Sequence, residues 1–304
     1  MPTRNRGLTG GIRLTMLMLG MALERAGWRG DGSVMTAASA ASAGKRLRMR
    51  RLFHPKSGRA MVVAMDHGIL GTPEGLQDLV GTVRELMAAG PDGILLNARM
   101  VRHCAGLWSR RSDPAVLLAL DVFLTTSLPG RPGGGEEHVL HTTPKEAVAL
   151  GADAVKVILA FGRRDLRVHA RNLELVSRTL AEAEEVGLPV MVEATLWGEL
   201  VEPRDQTDPG LVRDVARIAV ELGADMLKLP VCEDPTALRK IVEATPVPVL
   251  VLGGARTESE AAVYEMARRA LDAGVAGLVF GRNVWQHPDP RRLLARLVEL
   301  VHTE

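Results

Sequence analysis

Short apolar runs alternate with longer amphipathic stretches along the chain from about residue 60 onward. The apolar runs are rich in aliphatic and β-branched residues, and most of them are bounded by Gly, Asp or Pro. Runs of this kind are typical of parallel strands that are buried on both faces. They predict eight strands, at residues 61–65, 94–96, 116–120, 154–159, 190–192, 226–229, 247–252 and 277–280.

Between these runs, apolar residues recur every three or four positions, which predicts amphipathic helices. Several of these stretches end at a glycine, the residue that most easily adopts the left-handed helix C-cap. Eight strand–helix units over residues 55–304 match a single-domain α/β fold, the (β/α)8 or TIM barrel of about 250 residues. An open doubly wound sheet is the alternative, but residues 66–71 lack a dinucleotide-binding fingerprint. The helical stretches are residues 76–89, 166–186, 211–222, 235–244, 259–273 and 290–301.

A hexapeptide is repeated almost unchanged at residues 151–156 and 223–228. Each copy leads from a predicted helix end into a strand and places a lysine at the same offset, Lys156 on the fourth strand and Lys228 on the sixth. Alternate strands of a TIM barrel build one layer of its interior. We therefore expect both lysines to point inward at a similar height.

A lysine inside an apolar strand is costly unless it is paired or neutral. Lys228 is therefore either half of a buried salt bridge or a Schiff-base nucleophile whose free amine attacks a carbonyl. Burial and a second cation favour the free amine, and Lys156 is the candidate for that cation. Alternatively, Lys156 contacts a phosphate or hydroxyl, or points to solvent at the strand end.

Two carboxylates are placed near the predicted strand ends. Asp66 follows the first strand, where it can pair with a lysine, orient a substrate hydroxyl, or cap the next loop beside His67. Glu193, Thr195 and Trp197 alternate along the fifth strand and so share one face. If that face is inward, Glu193 is either a general acid/base or the salt-bridge partner of Lys228.

Glycine-rich turns follow the last two predicted strands. Gly253 and Gly254 end the seventh strand, and Gly281 and Arg282 end the eighth, each shortly before a predicted helix. The loops after strands seven and eight bind phosphate in many TIM barrels, because small residues let backbone N–H groups approach an anion. The alternative is that these glycines serve only the tight turns.

A metal site is the main mechanistic alternative. His103, His138 and His141 supply imidazoles, and residues 136–137 supply carboxylates. The segment at 129–135 is rich in Pro and Gly and is typical of a mobile loop, and no ligand set falls at the strand ends. We therefore expect solvated loop histidines and no metal.

Composition and charge narrow the function class. The chain has 304 residues, 46% hydrophobic and 24% charged, which excludes a disordered chain, a coiled coil or a fibre. Aromatic residues make up only 3%, which argues against stacking platforms for single-stranded nucleic acid. Two isolated cysteines, Cys104 and Cys232, fit a reducing compartment, so we expect a cytoplasmic protein.

The net charge of +2 conceals an asymmetry. Residues 1–60 contain 12 basic and 2 acidic residues, which leaves 26 basic and 34 acidic residues for the rest of the chain. An acidic body with a few placed cations suits a small anionic substrate, and we expect no nucleic-acid or membrane partner.

The first 44 residues differ in kind from the rest, and we expect a flexible extension at 1–44 ahead of a barrel domain at 45–304. Residues 30–44 have the Gly, Ala and Ser content of a linker. The apolar run at 14–23 is too short to span a bilayer and lacks a signal-peptide cleavage site. A start at Met35 would remove the first 34 residues, and a basic arm that touches nucleic acid or membrane is the alternative.

Several short motifs follow one another in a recognisable order. They are RLFHPKSGR at 51–59, VVAMDHG at 62–68, EGL at 74–76, GADMLK at 223–228, PVPV at 246–249, GG at 253–254, GVAG at 274–277 and GRNVWQH at 281–287. Together they resemble the DhnA-type class I aldolases, a group that includes archaeal-type fructose-bisphosphate aldolases, aminodideoxyheptulosonate synthases and the thiolase of autoinducer-2 phosphate breakdown. The resemblance spans roughly residues 45–304.

This resemblance implies a TIM-barrel aldolase without metal or other cofactor that forms or cleaves a C–C bond in a phosphorylated ketose. Fructose-bisphosphate aldolase is the expected activity, and a homo-oligomer is the expected assembly. Lys228 matches the family's Schiff-base lysine and Asp66 its first-strand aspartate, and the glycine-rich turns match its phosphate-binding turns. Transaldolase- or thiolase-type transfer by the same lysine, or phosphosugar binding without catalysis, are the alternatives.

The sequence departs from this family at the proton-transfer group. Aldolases of the group place a tyrosine after the fifth strand, where this chain reads EATLWG at 193–198. The single tyrosine, Tyr264, falls in a helical pattern elsewhere, and residues 229–232 read LPVC rather than the common Thr-Tyr-Tyr. Glu193 is the candidate substitute for the tyrosine.

Overall fold

Eight parallel strands close into a barrel in the computed structural model, which describes residues 40–123, 138–232, 234–257 and 259–303. Their order around the barrel is β1-β10-β9-β8-β7-β6-β3-β2, and a two-stranded antiparallel ribbon, β4–β5, is inserted after β3. The predicted TIM barrel is confirmed. The strands are β1 Ala60–Ala64, β2 Gly93–Asn97, β3 Ala115–Ala119, β4 Asp121–Phe123, β5 His138–Leu140, β6 Ala154–Phe161, β7 Val190–Leu196, β8 Met226–Leu229, β9 Val249–Leu252 and β10 Gly277–Phe280.

Helices surround the barrel, and three of them begin with the same Asp-Pro pair. The aspartate caps the first turn through a side-chain oxygen, and proline fits the first helical position because it needs no N–H partner there. Asp208, Asp234 and Asp289 are these caps. The helices are α1 Ala40–Leu52, α2 Leu79–Met87, α3 Val101–Cys104, α4 Pro144–Ala149, α5 Leu166–Glu185, α6 Pro209–Glu221, α7 Pro235–Ala244, α8 Glu260–Asp272, α9 Arg282–Trp285 and α10 Pro290–His302, with 3-10 turns at Asp66–Leu70, Ala98–Met100, Ala105–Leu107 and Pro203–Thr207.

The apolar core has two parts. One lies between the strands and the outer helices, and the other fills the inside of the barrel. Leu52 and Phe53, at the end of α1, close the interior at the end where the strands begin. Buried apolar surface stabilises a fold by roughly 25 cal/mol per Å². The burial of Leu52 and Phe53 therefore holds α1 against the barrel.

Aspartates at the start of β6 and β8 connect the same end of the barrel to α1. Asp153 and Asp225 each accept a hydrogen bond from the backbone N–H of a neighbouring strand, at 2.9 Å. Arg51 Nε lies 2.7 Å from Asp153, and Lys45 Nζ lies 2.8 Å from Asp225. The basic residues that follow position 44 therefore neutralise the strand-start aspartates of the repeated hexapeptide.

The boundary at residue 44 falls inside a helix. Because α1 begins at Ala40, residues 40–44 are helical rather than part of a linker. Residues 1–39 and the predicted mobile loop at 129–135 lie outside the described residues. None of the described helices combines the length and apolar character needed to cross a bilayer.

Candidate active site

Charged side chains converge inside the barrel at the end where the strands finish. They border a cavity of about 520 Å³ that is also lined by the glycine turns after β9 and β10. Lys156, Glu193 and Lys228 project from β6, β7 and β8, while Asp66 follows β1 and Asp121 begins β4. The charged residues and the glycine turns that the sequence predicts for one site therefore line the same cavity.

The repeat places its two lysines as predicted. Glu193 on β7 is in register with Lys228 on β8, and their side chains meet with Nζ 2.9 Å from Oε2. Lys156 also points inward, because its register partner on β7 is Met191, which packs inside the barrel. Both lysine side chains are buried, so the solvent-exposed alternative for Lys156 is wrong.

Lys156 is surrounded by carboxylates. Its Nζ lies 3.1 Å from Asp66, 3.5 Å from Glu193 and 3.6 Å from Asp121. Burial acts to lower the pKa of Lys156, but the three carboxylates outweigh it and raise that pKa well above its ordinary value. Lys156 is therefore an ammonium group at neutral pH in this arrangement.

Asp66 is the counterpart of that ammonium group. Burial acts to raise its pKa, yet Lys156, with His67 and Lys228, holds the pKa of Asp66 far below its usual range. The amide of Asn97 donates to the Asp66 backbone oxygen at 2.6 Å, which fixes the turn that carries the carboxylate. Of the three alternatives for Asp66, the structure shows the pairing with a buried lysine.

His67 lies beside this carboxylate. Its Nδ1 is 3.5 Å from Asp66, and its ring meets the indole of Trp285 edge-on at 5.5 Å between centroids. Burial lowers the pKa of His67, and the Asp66 carboxylate only partly opposes that effect. His67 thus lines the cavity as a neutral ring at physiological pH.

Asp121, which lines the cavity, was not singled out from the sequence, and His138, which pairs with it, was assigned to a loop. Asp121 directly follows an apolar run, as Asp66 does, and that shared position was the available signal. His138 was expected to be a solvated loop histidine, but its side chain is fully buried and its Nε2 lies 2.6 Å from Asp121. That expectation was wrong because the burial of His138 depends on pairing with a residue 17 positions away.

The other predicted ligands do not gather around His138. His103 is exposed, His141 is half-buried, and residues 136–137 lie outside the described part of the chain. Among the residues that the structure describes, no group of three His, Cys, Asp or Glu side chains is arranged to hold a metal ion.

The two glycine turns meet at one corner of the cavity. Gly254 has a φ of +66°, a conformation that favours glycine, and a Cβ on Gly281 would lie 2.8 Å from the Ala64 oxygen. Arg282 donates to the Gly254 oxygen at 3.0 Å. Both glycines are therefore required by the path of the backbone, and the turns lie where many TIM barrels bind phosphate.

Asn283, which the sequence reasoning also missed, joins these turns. Its buried amide nitrogen donates to the backbone oxygens of Gly253 and Ala255, at 2.7 and 3.1 Å. Its oxygen accepts from the Thr257 N–H at 2.7 Å. A single side chain after β10 thus sets the path of the turn after β9.

The opposite wall is aromatic and holds no tyrosine among the described residues that line it. Phe123 and Trp197 meet edge-on at 5.3 Å, and the Arg163 guanidinium lies over both rings. Tyr264 lies on α8 beneath Arg296, away from the cavity. Thr195 faces the cavity two residues beyond Glu193 on β7. This is the fifth barrel strand, after which the resembling aldolases have their tyrosine.

Comparisons with known proteins agree with this geometry. An uncharacterised aldolase of Saccharolobus solfataricus is 31% identical over 260 residues, which cover 85% of this chain and 94% of that protein. A 2-amino-4,5-dihydroxy-6-oxo-7-(phosphonooxy)heptanoate synthase of Streptomyces griseus is 31% identical over 262 residues, which cover 85% of this chain and 90% of that protein.

A solved structure shows the same barrel. It is an archaeal fructose-1,6-bisphosphate aldolase whose catalytic lysine is covalently bound to the carbinolamine intermediate of the substrate, and it is 29% identical to this chain. The TM-score is 0.73, with 84% of this chain and 99% of that chain covered. Residues 60–287 match the family model of the DeoC/LacD family aldolases. The chain therefore belongs to the DeoC/LacD family, as a class I aldolase with a TIM-barrel fold.

Proposed function

We propose that this aldolase cleaves or forms a C–C bond in a phosphorylated ketose, as a fructose-bisphosphate aldolase does, with Lys228 as its Schiff-base lysine. The observation that supports this assignment is the difference between the two buried lysines. Lys156 lies within 3.6 Å of three carboxylates, which hold it as an ammonium group. Among the described residues, the carboxylate in ion-pair range of Lys228 is that of Glu193, which is placed to accept its proton.

In the cleavage direction, the neutral amine of Lys228 attacks the ketose carbonyl, and the carbinolamine loses water to form an iminium. The bond between the α and β carbons then breaks, and its electron pair moves toward the iminium nitrogen to give an enamine. The β-hydroxyl loses its proton in the same step and becomes the aldehyde product. Protonation of the enamine carbon and hydrolysis release the ketone and restore the amine.

The surrounding residues supply the proton transfers and the orientation. Glu193 lies between the two lysines, so it can take the β-hydroxyl proton and return a proton to the enamine. Asp66 orients a substrate hydroxyl, and the ammonium of Lys156 donates hydrogen bonds to substrate oxygens that gain negative charge. Glu193 thereby takes the place of the tyrosine that this chain lacks at the family position.

The phosphate is bound by the turns at Gly253, Gly254, Gly281 and Arg282. Their backbone lines the cavity opposite the aromatic wall, and Arg282 adds the positive charge at that corner. The names of the relatives support a phosphorylated substrate: one is a synthase of a phosphonooxy compound, and another acts on fructose 1,6-bisphosphate.

Borohydride trapping tests the assignment directly. The protein is incubated with dihydroxyacetone phosphate or fructose 1,6-bisphosphate, reduced with borohydride, and digested for peptide mass mapping. We expect one adduct, on the Lys228 peptide, in the wild type and in Lys240→Met, a matched control at an exposed lysine of α7. An adduct elsewhere, or none with any phosphorylated carbonyl, would contradict the proposal.

Two alternatives have observations in their favour. The synthase name of the Streptomyces griseus relative favours a condensation or transfer reaction by the same lysine, which product analysis with different aldehyde acceptors identifies. The missing tyrosine favours a phosphosugar-binding protein without catalysis, which would show thermal stabilisation by the ligand but neither adduct nor turnover.

We further propose that the protein acts in the cytoplasm as a homo-oligomer. The two described cysteines are unpaired thiols, which fits a reducing compartment. Light scattering coupled to size-exclusion chromatography measures the assembly, and a mass of one chain, 32.7 kDa, would contradict the oligomer.

A further inference from the structure

A buried chain of three polar side chains lies behind Lys156, outside the contacts described for the substrate. It consists of Asp121 on β4, His138 on β5 and Asn172 on α5. His138 Nε2 lies 2.6 Å from Asp121, and Asn172 Nδ2 lies 2.7 Å from His138 Nδ1. Asp121 and His138 are 0% exposed at the side chain, and Asn172 is 0% exposed as a residue. Buried polar groups are retained only when they are hydrogen-bonded, so each bond in this chain matters.

The backbone of β6 determines the orientation of Asn172. The Asn172 oxygen accepts from the Ala160 N–H at 3.0 Å, and its nitrogen donates to the Ile158 oxygen at 2.8 Å. The amide nitrogen therefore faces His138 as a donor, and His138 Nδ1 must accept. This leaves the ring hydrogen on Nε2, where it is donated to Asp121.

Asp121 is thereby held as an acceptor from two donors and as the neighbour of one cation. Its Oδ2 accepts from His138 and from the Ile158 N–H at 2.5 Å, while its Oδ1 faces Lys156 Nζ at 3.6 Å. Burial acts to raise the pKa of Asp121, but Lys156 and these hydrogen bonds hold it below the usual range. The carboxylate stays ionised although no part of its side chain reaches solvent.

We propose that His138 and Asn172 are positioning residues that fix Asp121 as a carboxylate behind Lys156, so that Lys156 stays the ammonium donor of the site and Lys228 is the nucleophile. The inference rests on the proposed function, because it explains how two lysines from the same repeat take different roles. His138 touches no substrate in this arrangement; it acts through Asp121 and then through Lys156.

Other charged groups also face Lys156 and must be included in any pH argument. They are Asp66 after β1, Glu193 on β7, Lys228 on β8 beyond Glu193, and His141 after β5, whose pKa is lowered mainly by burial. Since Asp66 and Glu193 remain when Asp121 is neutralised, the ammonium of Lys156 is weakened rather than lost.

The test compares His138→Leu, His138→Gln and Asp121→Asn with the wild type. Leucine removes the donor to Asp121, whereas the Nε2 of glutamine restores it without a titratable ring. We expect His138→Leu to lower kcat by about 10- to 100-fold, the rate equivalent of one hydrogen bond to a charged group, and to leave KM within about twofold. We expect His138→Gln to recover most of that loss.

The pH profile separates positioning from a structural effect. In Asp121→Asn the ammonium of Lys156 loses one of three carboxylates, so kcat per labelled chain should fall below the wild-type value, and its loss at high pH should begin at lower pH than in the wild type. Rates are scaled to the fraction of chains that borohydride labels at Lys228, which removes losses caused by unfolding. Asp121→Asn and His138→Gln keep polar groups of similar size, so they remain informative if His138→Leu does not fold.

Two results would overturn the inference: wild-type kcat per labelled chain in Asp121→Asn at every pH, or equal kcat per labelled chain in wild type and both His138 variants. Failure of the proposed function is a separate outcome, because the wild type would then give no adduct at Lys228. A labelled wild type with unaffected variants would leave the Schiff-base assignment intact and reject only the role of His138.

Discussion

The two ends of the barrel use the same repeated hexapeptide in different ways. Where the strands begin, Asp153 and Asp225 bond to neighbouring strands and pair with cations of α1, and the apolar end of α1 closes the interior. Three residues further along the strands, Lys156 and Lys228 point inward and border an open cavity. Ion pairs of similar chemistry therefore stabilise the fold where the strands begin, whereas on the cavity side they line the space in which a TIM barrel binds its substrate.

A second difference appears within the cavity end itself. Lys156 and Lys228 occupy equivalent positions in the repeat, but their surroundings differ. Lys156 lies near carboxylates from β4, β7 and the turn after β1, whereas Lys228 contacts Glu193. The neighbours, rather than the strand position, divide the lysines into a fixed cation and a candidate nucleophile. The predictions below test both differences, beginning with the largest expected effect.

Lys228→Met should abolish the covalent intermediate and lower kcat/KM by at least about 10³-fold. Methionine fills the same space, and Glu193 keeps Lys156 as an ion-pair partner at 3.5 Å when Lys228 is replaced. We therefore expect the Tm to change by no more than about 3 °C. Steady-state kinetics and thermal unfolding measure the two effects, and substantial residual turnover would contradict the assignment.

Lys156→Met should lower kcat by about 10²-fold, the usual effect of removing one donor to a developing oxyanion. Unlike Lys228→Met, it leaves Asp66 and Asp121 buried without their ammonium partner, so the free energy of unfolding should fall by about 3 kcal/mol. Urea unfolding of both variants measures this difference. Equal stability of the two variants would show that the carboxylates do not distinguish the lysines.

Acid should destabilise the cavity end through the same carboxylates. The pKa values of Asp66 and Asp121 lie below the ordinary value of 3.8, so their ionised forms favour the folded state. That contribution is complete above the unfolded pKa and is lost as the pH falls through the folded one. Lys156→Met removes a major cause of both shifts, so its free energy of unfolding should depend less on pH between about pH 5 and pH 2 than that of the wild type.

Much of this cavity end was predictable because of how parallel strands are built. Strands buried on both faces give continuous apolar runs, and polar residues that interrupt or follow such runs stand out, as Lys156, Lys228 and Asp66 do. The inward direction of both lysines follows from the repeat. The number of carboxylates around each lysine does not, because those carboxylates come from strands distant in sequence.

The ribbon β4–β5 shows where prediction from the sequence failed. Each of its strands has three residues, too few to establish a period, and His138 follows a segment rich in Gly, Pro and Glu. Its burial depends on Asp121, Asn172 and stacking on Phe123 at 4.5 Å, all of which are tertiary contacts. Asn283 was equally hidden, because asparagine after a strand usually belongs to a turn.

Asn283→Ala tests whether the glycine turns after β9 and β10 contribute to substrate affinity rather than to the rate of the chemical step. Without this amide, the oxygens of Gly253 and Ala255 lose a donor and the turn after β9 loses its link to β10. We expect KM for a phosphorylated ketose to rise about three- to tenfold, as the loss of one net hydrogen bond implies, with kcat within about twofold. A substrate without phosphate, such as dihydroxyacetone, is the control and should show no change in KM.

The smallest effect is expected at the opposite end of the barrel, where stability and activity should separate. Lys45→Met removes a largely buried ammonium from Asp225 and Glu184 and should lower the free energy of unfolding by about 1–2 kcal/mol. Arg51→Met, at a more exposed pair, should lower it by at most about 1 kcal/mol, and Arg50→Met, on the exposed face of α1, is the matched control. Because these residues lie where the strands begin, kcat and KM should stay at wild-type values in all three variants. A loss of kcat in Lys45→Met at a temperature where the protein is folded would show that the two ends of the barrel are coupled.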